Sequence, residues 1–332
     1  MTFHNDKEFV DAIDAASQHF NINSVLIEKD YWVCYVLKNL SQSEYMNKVV
    51  FKGGTSLSKA FNCIERFSED IDLALLNEEK LSNNKCNNLM KKIEPELTKE
   101  LRPEEGNQGD KMEKKRVTYY SYEKKTKGEV KAVKDKIQLE INTFTIPVPH
   151  EKKEIQSYVG QFLNLQDKKD LVSKHGLEPF ILLILTRERT FFEKLLSLIR
   201  LSYSGNDKLK EKIRHFYDLF MLHKQKDLGD KLFSSDSFQL INLALNDDAS
   251  NKIFSGDWMN AKLSDSPLFK NPSATWKELE STFKNELGQL VWNNNLPSSD
   301  EIVALLEKIK MFLIEFDKTY PPEKRILESN SK

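Results

Sequence analysis

Apolar positions recur at helical spacing over the first forty residues: Phe9, Val10, Ile13 and Ala16, then Val33, Val36, Leu37 and Leu40. Asp6 is a candidate cap for the first helix and Asn23 or Ser24 for the second. The rhythm breaks at Val49-Val50-Phe51, a short apolar run that predicts a strand. Gly53-Gly54 follows, and Leu57, Ala60, Phe61 and Ile64 then give one helical face, with Thr55 as its N-cap. From Asp70 to Leu75 the pattern alternates, with Ile71, Leu73 and Leu75 on one face and Asp70, Asp72 and Ala74 on the other. A polar helix is expected over 79–102 and a loop over 103–110. A hairpin with arms at 116–122 and 136–145 comes next, in which Ile137, Leu139 and Ile141 alternate with Gln138, Glu140 and Asn142. Glu140 therefore falls on a polar face. After Pro147 and Pro149 the chain becomes mainly helical, with a last strand at 180–186 and helices at 189–203, 208–225, 236–246, 274–291 and 299–317. No internal repeat interrupts this order. The expected fold class is α+β and bilobed: a lobe of residues 1–165 with a mixed sheet flanked by helices, and a mainly helical lobe of residues 166–332.

Composition narrows the class. With 332 residues, 39% hydrophobic and 30% charged, the chain has material for a sizeable core, and it is too poor in Gly and Pro for a fibrous or disordered protein. The early acids of MTFHNDKEFVDAI and the lack of any long apolar run predict neither a signal peptide nor a membrane span, so a cytoplasmic protein is expected. Cys34, Cys63 and Cys86 show no CxxC pairing, which argues against a disulfide frame or a zinc site. A net charge of −1 excludes whole-molecule attraction to nucleic acid. Locally, however, Lys111 to Lys136 holds ten Lys/Arg against four acids, with Tyr119, Tyr120 and Tyr122 interleaved. Such a stretch suits a phosphate backbone and stacked bases; equally, its lysines suit a solvated hairpin that guards an edge strand.

Two aspartates at i, i+2 on a strand project side by side, and without a metal they repel. A glycine pair before a helix lets backbone approach phosphate oxygens, and the helix start adds N–H groups and the Thr55 and Ser56 hydroxyls. Taken separately each feature is commonplace. In the order strand, Gly-Gly-Thr-Ser, helix, two-aspartate strand they form a pattern suited to binding a nucleoside triphosphate with a divalent cation.

The stretch Phe51-Lys52-Gly53-Gly54-Thr55-Ser56-Leu57-Ser58-Lys59-Ala60-Phe61, continuing through Glu65-Arg66-Phe67-Ser68-Glu69-Asp70-Ile71-Asp72-Leu73, resembles the AbiEii/AbiGii-type nucleotidyltransferase toxins of the DNA polymerase β-like superfamily. Glu28-Lys29-Asp30-Tyr31-Trp32, Arg189-Thr190-Phe191-Phe192-Glu193-Lys194 and Arg214-His215-Phe216-Tyr217-Asp218-Leu219 are similar to the same family, so the likeness spans residues 28–219. The resemblance implies an active site between a catalytic lobe and a helical lobe, with Mg²⁺ on Asp70 and Asp72 and triphosphate on the turn containing Gly53, Gly54, Thr55 and Ser56. It also implies that Lys194 and Asp218 are required: the lysine to neutralise phosphate, the aspartate to orient that lysine or activate the nucleophile. Arg66, Glu193 and Arg214 are read as structural supports. Superfamily members commonly carry a third carboxylate on a neighbouring strand, for which Glu140 is the candidate by strand alternation and Asp135 the alternative. The implied reaction moves NMP from NTP to an acceptor hydroxyl, that of the tRNA 3′ end, in a toxin–antitoxin or abortive-infection system with a cognate antitoxin protein. A protein side chain or a small-molecule acceptor, or a non-catalytic nucleotide-binding module, are the competing readings.

Overall fold

The computed structural model describes residues 2–77, 79–104, 111–112, 114–130, 133–288, 290–292 and 296–325. The chain divides into two compact units: Met1–Asn62, Phe67–Thr143 and Pro149–Leu185 form one, and Cys63–Arg66, Phe144–Val148 and Thr186–Lys332 the other.

In chain order the first unit contains α1 (Phe9–Phe20), α2 (Ser24–Ser41), β1 (Val49–Lys52), α3 (Gly53–Lys59), β2 (Asp70–Leu75), α4 (Asn83–Leu97), β3 (Arg102–Pro103), β4 (Lys111–Met112), β5 (Lys115–Ser121), β6 (Ile137–Asn142), β7 (His150–Ile155), α5 (Tyr158–Leu165), α6 (Lys169–His175) and β8 (Phe180–Leu185). Its sheet runs β3-β5-β6-β2-β1-β8-β7, with β4 paired to β5. The β2–β6 and β1–β8 pairs are parallel and the others antiparallel, so the sheet is mixed. Val49, Val50, Phe51, Ile71, Leu73 and Leu139 are all fully buried in the central strands, as continuous apolar runs require. α2 begins where the Asn23 side chain accepts the Val25 N–H at 2.9 Å, and Tyr31, Trp32, Val33, Cys34, Val36 and Leu37 are buried along it.

Several expectations shift. Asp6 does not cap α1: its carboxylate holds the preceding turn by accepting the Glu8 N–H at 3.0 Å, and the helix starts at Phe9. α3 starts at Gly53 rather than after Thr55, because Gly53 takes φ +82° and turns the chain straight out of β1 into the helix. Thr55 thus lies inside the helix. The apolar pattern predicts no strand at β7: His-Glu-Lys-Lys-Glu-Ile carries little apolar signal because it lies at the sheet's margin, where charged side chains meet water. Residues 166–185 group with the sheet, since β8 pairs with β1 and β7. Part of the expected 103–110 loop, residues 105–110, lies outside the described residues.

The second unit is helical: α7 (Arg187–Ser202), α8 (Asn206–Lys210), α9 (Arg214–His223), α10 (Phe238–Ser250), α11 (Pro267–Lys270), α12 (Pro272–Leu287) and α13 (Ser299–Thr319). The single helix expected over 208–225 is two, α8 and α9. Phe192, Phe233, Phe238, Phe312 and Phe316 form a connected aromatic core, and α13 opens with a reciprocal Ser298–Glu301 capping box. The chain visits this unit early, where Arg66 bridges Val291 and Trp292 N–H donates to Glu65 C=O at 3.2 Å. It returns at 144–148, where Ile146 N–H donates to Asp247 at 3.0 Å. Among the described residues, no helix is long and apolar enough to cross a membrane.

Candidate active site

Strand β2 sets the geometry of the first unit's site. Its alternation buries Ile71 and Leu73 and leaves Asp70 and Asp72 partly exposed on the opposite face. On one side Asp72 lies opposite Lys52 of β1, and on the other it lies opposite Glu140 of β6. Directly paired residues share a face, so Lys52, Asp72 and Glu140 form a row across three strands. The glycine turn abuts this row. A Cβ on Gly53 would overlap Asp72 Oδ2 and sit 3.0 Å from Asp72 Cγ. Only a residue without a side chain allows the carboxylate to lie against that backbone.

The hydroxyls beside the turn have local work. Thr55 Oγ1 contacts Ser68 Oγ at 3.0 Å and donates to Asp70 C=O at 2.5 Å, tying α3 to the carboxylate strand. Ser56 Oγ donates to Gly53 C=O at 2.9 Å, which closes the turn, and Ser56, like Thr55, is fully buried. Gly54 is the second residue of α3. Of the two candidates for a third carboxylate, Glu140 stands beside Asp72 and is paired with Lys115 at 2.8 Å. Asp135 is half exposed and paired with Lys124 at 3.0 Å, outside the strand row. Among the described residues no three His, Cys, Asp or Glu side chains gather into a group that could hold a metal ion. Asp70 and Asp72 share one face of β2, while Glu140 on the next strand is held by Lys115; the aspartate pair alone has the chemistry for a divalent cation that takes one or two carboxylates and completes its shell with water and substrate phosphates.

The Glu28-Lys29-Asp30 motif explains how this strand is held. All three side chains are buried on α2, and each points to a different neighbour. Glu28 accepts the Lys125 and Thr126 N–H groups at 2.7 and 2.8 Å and the Thr126 hydroxyl at 2.5 Å. Lys29 pairs with Glu69, the residue before Asp70, and donates to Lys134 C=O. Burial lowers the Lys29 pKa against the upward pull of Glu69 and Asp70. Asp30 pairs with Lys59 of α3 at 2.7 Å and accepts Tyr158 N–H at 2.7 Å. One helix turn therefore fixes the start of β2, the end of α3 and the segment after β5. Buried charges of this kind are costly unless compensated; Lys29 and Asp30 are ion-paired and Glu28 is satisfied by two backbone N–H groups and a hydroxyl.

The basic segment is less available than its composition suggested. Arg116 is buried against Glu94, whose other oxygen accepts the Tyr120 hydroxyl at 2.6 Å. Lys115, Lys124 and Lys125 pair with Glu140, Asp135 and Glu123. Tyr122 stacks on Trp32. Lys134 and Lys136 lie over the Tyr119 ring at 5.7 and 4.9 Å, and Lys127 and Lys134 are exposed. Glu113 and Lys131 lie outside the described residues, as does the side chain of Lys111.

In the second unit Asp218 is fully buried on α9 and gathers two cations. Arg66 grips it through both oxygens, Nε and Nη2 each at 2.7 Å, and Lys194 of α7 reaches Oδ2 at 2.8 Å. Burial pushes the Asp218 carboxyl up, but the Arg66 and Lys194 charges outweigh it and hold the group well below its ordinary value. A carboxylate so held is a poor proton acceptor and a good anchor. Burial and the Lys194 charge likewise keep the neighbouring His215 neutral, its pKa well below the usual one. Arg189 is fully buried, paired with Asp247 and with Glu193 at 3.4 Å, and braces α7 on α10. Arg66 and Arg189 thus act as supports. The Arg66–Asp218 pair could not be read from the sequence, since 152 residues separate its members.

A family model described as "Nucleotidyl transferase AbiEii toxin, Type IV TA system" matches residues 35–305, well over half of the chain. Among solved structures the chain is similar to MenT4, a nucleotidyltransferase toxin from Mycobacterium tuberculosis H37Rv, at 16% identity and a TM-score of 0.54, covering 96% of this chain and 99% of that one. It also matches a candidate nucleotidyltransferase from H. pylori at 14% identity and a TM-score of 0.46, covering 90% of this chain and 99% of that one. No curated protein matches the sequence. MenT4 supports the α+β fold. The extent of the family match establishes that this chain belongs to the AbiEii family of nucleotidyltransferase toxins of type IV toxin–antitoxin systems.

Proposed function

We propose that this nucleotidyltransferase toxin uses Mg²⁺ to transfer NMP from an NTP to the 3′ hydroxyl of tRNA, and so blocks translation. The observation that supports the site assignment is the close approach of the Asp72 carboxylate to Gly53, where an added Cβ would overlap Asp72 Oδ2. The acceptor oxygen forms a bond to the α-phosphorus, the bond from that phosphorus to the bridging oxygen of the β-phosphate breaks, pyrophosphate leaves, and the hydroxyl proton passes to solvent. Asp70 and Asp72 would hold Mg²⁺, with Glu140 as a third donor once released from Lys115. When bound, the ion screens charge on the phosphates and orients the α-phosphate for in-line attack. The turn Gly53-Gly54-Thr55-Ser56 would receive the triphosphate: Gly53 and Gly54 let the backbone approach, the Ser56 hydroxyl closes the turn on Gly53 C=O, and Thr55 keeps α3 against β2. Within the second unit Asp218, clamped by Arg66, holds Lys194 in one position, and the family resemblance implies that Lys194 and Asp218 are required, the lysine as a positive charge for phosphate.

The tRNA acceptor rests on family membership, and exposed Lys127 and Lys134 are its local support. The same membership implies an antitoxin partner encoded with the toxin. Incubating the purified protein with Mg²⁺, each labelled NTP and total tRNA should label RNA 3′ ends, and Asp70→Ala should abolish that label. Label on protein or on a small molecule, with none on RNA, would replace the acceptor. No transfer from any NTP would sink the catalytic reading.

A further inference from the structure

We propose that Lys52 is a substrate-binding residue for nucleotidyl transfer, contacting the β- and γ-phosphates of the NTP; the proposal rests on the NTP site assigned above. Lys52 lies within the stretch that resembles the family, yet neither sequence spacing nor the family's required residues give it a role. Register gives it one. It is the last residue of β1, directly opposite Asp72, and so falls on the face that carries the carboxylates. Its backbone is still extended, with φ −142° and ψ −170°, so strand alternation holds up to the position where Gly53 turns the chain. The residue is partly exposed rather than sealed in the core.

Charge makes the position meaningful. Asp70, Asp72 and Glu140 bring three negative charges to this face, and a metal-bound triphosphate adds more. Lys52 adjoins both the carboxylate row and the turn that receives phosphate, and a lysine stem is long enough to follow a triphosphate lying along that turn. As the bond to the α-phosphorus breaks, negative charge builds on the departing pyrophosphate, and an ammonium there opposes it.

The competing role for a cation in this place is a simple counter-charge that offsets the repulsion between Asp72 and its acidic neighbours. The two roles predict opposite signs. Removing a mere counter-charge leaves a more negative acidic cluster, so divalent cations bind more tightly and NTP binding is unchanged. Removing a phosphate contact weakens NTP. The test compares wild type, Lys52→Met and Lys52→Arg by calorimetric titration of NTP in Mg²⁺, by KM and kcat for transfer, and by thermal melting. For Lys52→Met we expect NTP affinity to fall and KM to rise by about tenfold or more, as loss of a charge-assisted hydrogen bond implies. Lys52→Arg should recover much of this, with melting unchanged in both. Wild-type NTP affinity and KM in Lys52→Met, or tighter Mg²⁺ binding with no NTP effect, would overturn the inference. Absence of transfer by the wild type would instead strike the underlying assignment, so the two failures are separable.

Discussion

Replacing Gly53 by alanine tests the central geometry, because it asks whether turn and carboxylate share one space. Two costs should add. The first is conformational: at φ +82° an L residue is strained by about 1–2 kcal/mol, offset by roughly 0.4–1 kcal/mol because alanine loses less freedom than glycine on folding. Gly128→Ala isolates that term, since Gly128 has φ +98° and nothing within 4 Å of the added Cβ. It should lower stability by about 1 kcal/mol. The second cost is steric and belongs to Gly53 alone. The new methyl would overlap Asp72 Oδ2, and with Asp72 Cγ at 3.0 Å and its Cβ at 3.2 Å the whole side chain must swing away. An off-rotamer aspartate adds about 0.5–1.5 kcal/mol. Gly53→Ala should therefore destabilise by roughly 2 kcal/mol, measured by urea denaturation. The larger effect is on rate, because a metal-binding group displaced by ~1 Å typically costs about 100-fold. Labelled-NTP transfer under saturating Mg²⁺ reads this directly. A Gly53→Ala enzyme with kcat within about threefold of wild type would refute the claim that the Asp72 position against Gly53 is the working one.

Asp218→Asn removes the charge that Arg66 and Lys194 share and should cost about 3–5 kcal/mol of stability in the second unit, seen in denaturant melts; a loss under ~1 kcal/mol would contradict the clamp. The native Asp218 carboxyl titrates below its unfolded value of 3.8, so its stabilisation is complete above that pH and is lost as pH falls through the lower folded value. Wild-type melts between pH 5 and 8 should carry no slope from this group, and Asp218→Asn should flatten the steep acid limb below about pH 4. Lys29→Met removes the cation paired with the buried Glu69 carboxylate one residue before Asp70, leaving that carboxylate the Lys134 N–H, and should destabilise the first unit by about 3 kcal/mol. Adding Glu69→Gln should restore part of that stability, and a strictly additive double mutant would deny that the two residues interact. Between the third-carboxylate candidates, Glu140→Gln should raise the Mg²⁺ concentration needed for half-maximal transfer, while Asp135→Asn should leave it unchanged; the reverse result would move the assignment to Asp135.

The parts of this molecule legible in the sequence are those whose physics is local. Asn23 could be named as the α2 cap because its partner, the Val25 N–H, is two residues away, and the face of Asp70 and Asp72 followed from alternation within six residues. The same alternation put Glu140 on a polar face, and the parallel β2–β6 register shows which neighbour that face has. Where local rules compete, reading failed: Thr55 is a good cap by type, but a glycine able to adopt positive φ two residues earlier let the helix begin sooner, and the threonine hydroxyl went to Asp70 C=O instead. Interactions that depend on strand order or on distant partners left no trace in spacing. Strand β7 is defined by its pairing with β8 rather than by an apolar pattern, and Arg66 meets Asp218 across 152 residues. The Glu28-Lys29-Asp30 run lies between these cases. Three consecutive charges in a helix face three directions, so burial of all three means that the helix is surrounded; a sequence can signal that such a run has partners, but only the fold names Thr126, Glu69 and Lys59. Motifs in this chain thus mark where buried charge must be compensated, and topology decides what compensates it. Lys52 follows the same logic, since its neighbour Asp72 is twenty positions away in sequence and directly opposite in the sheet.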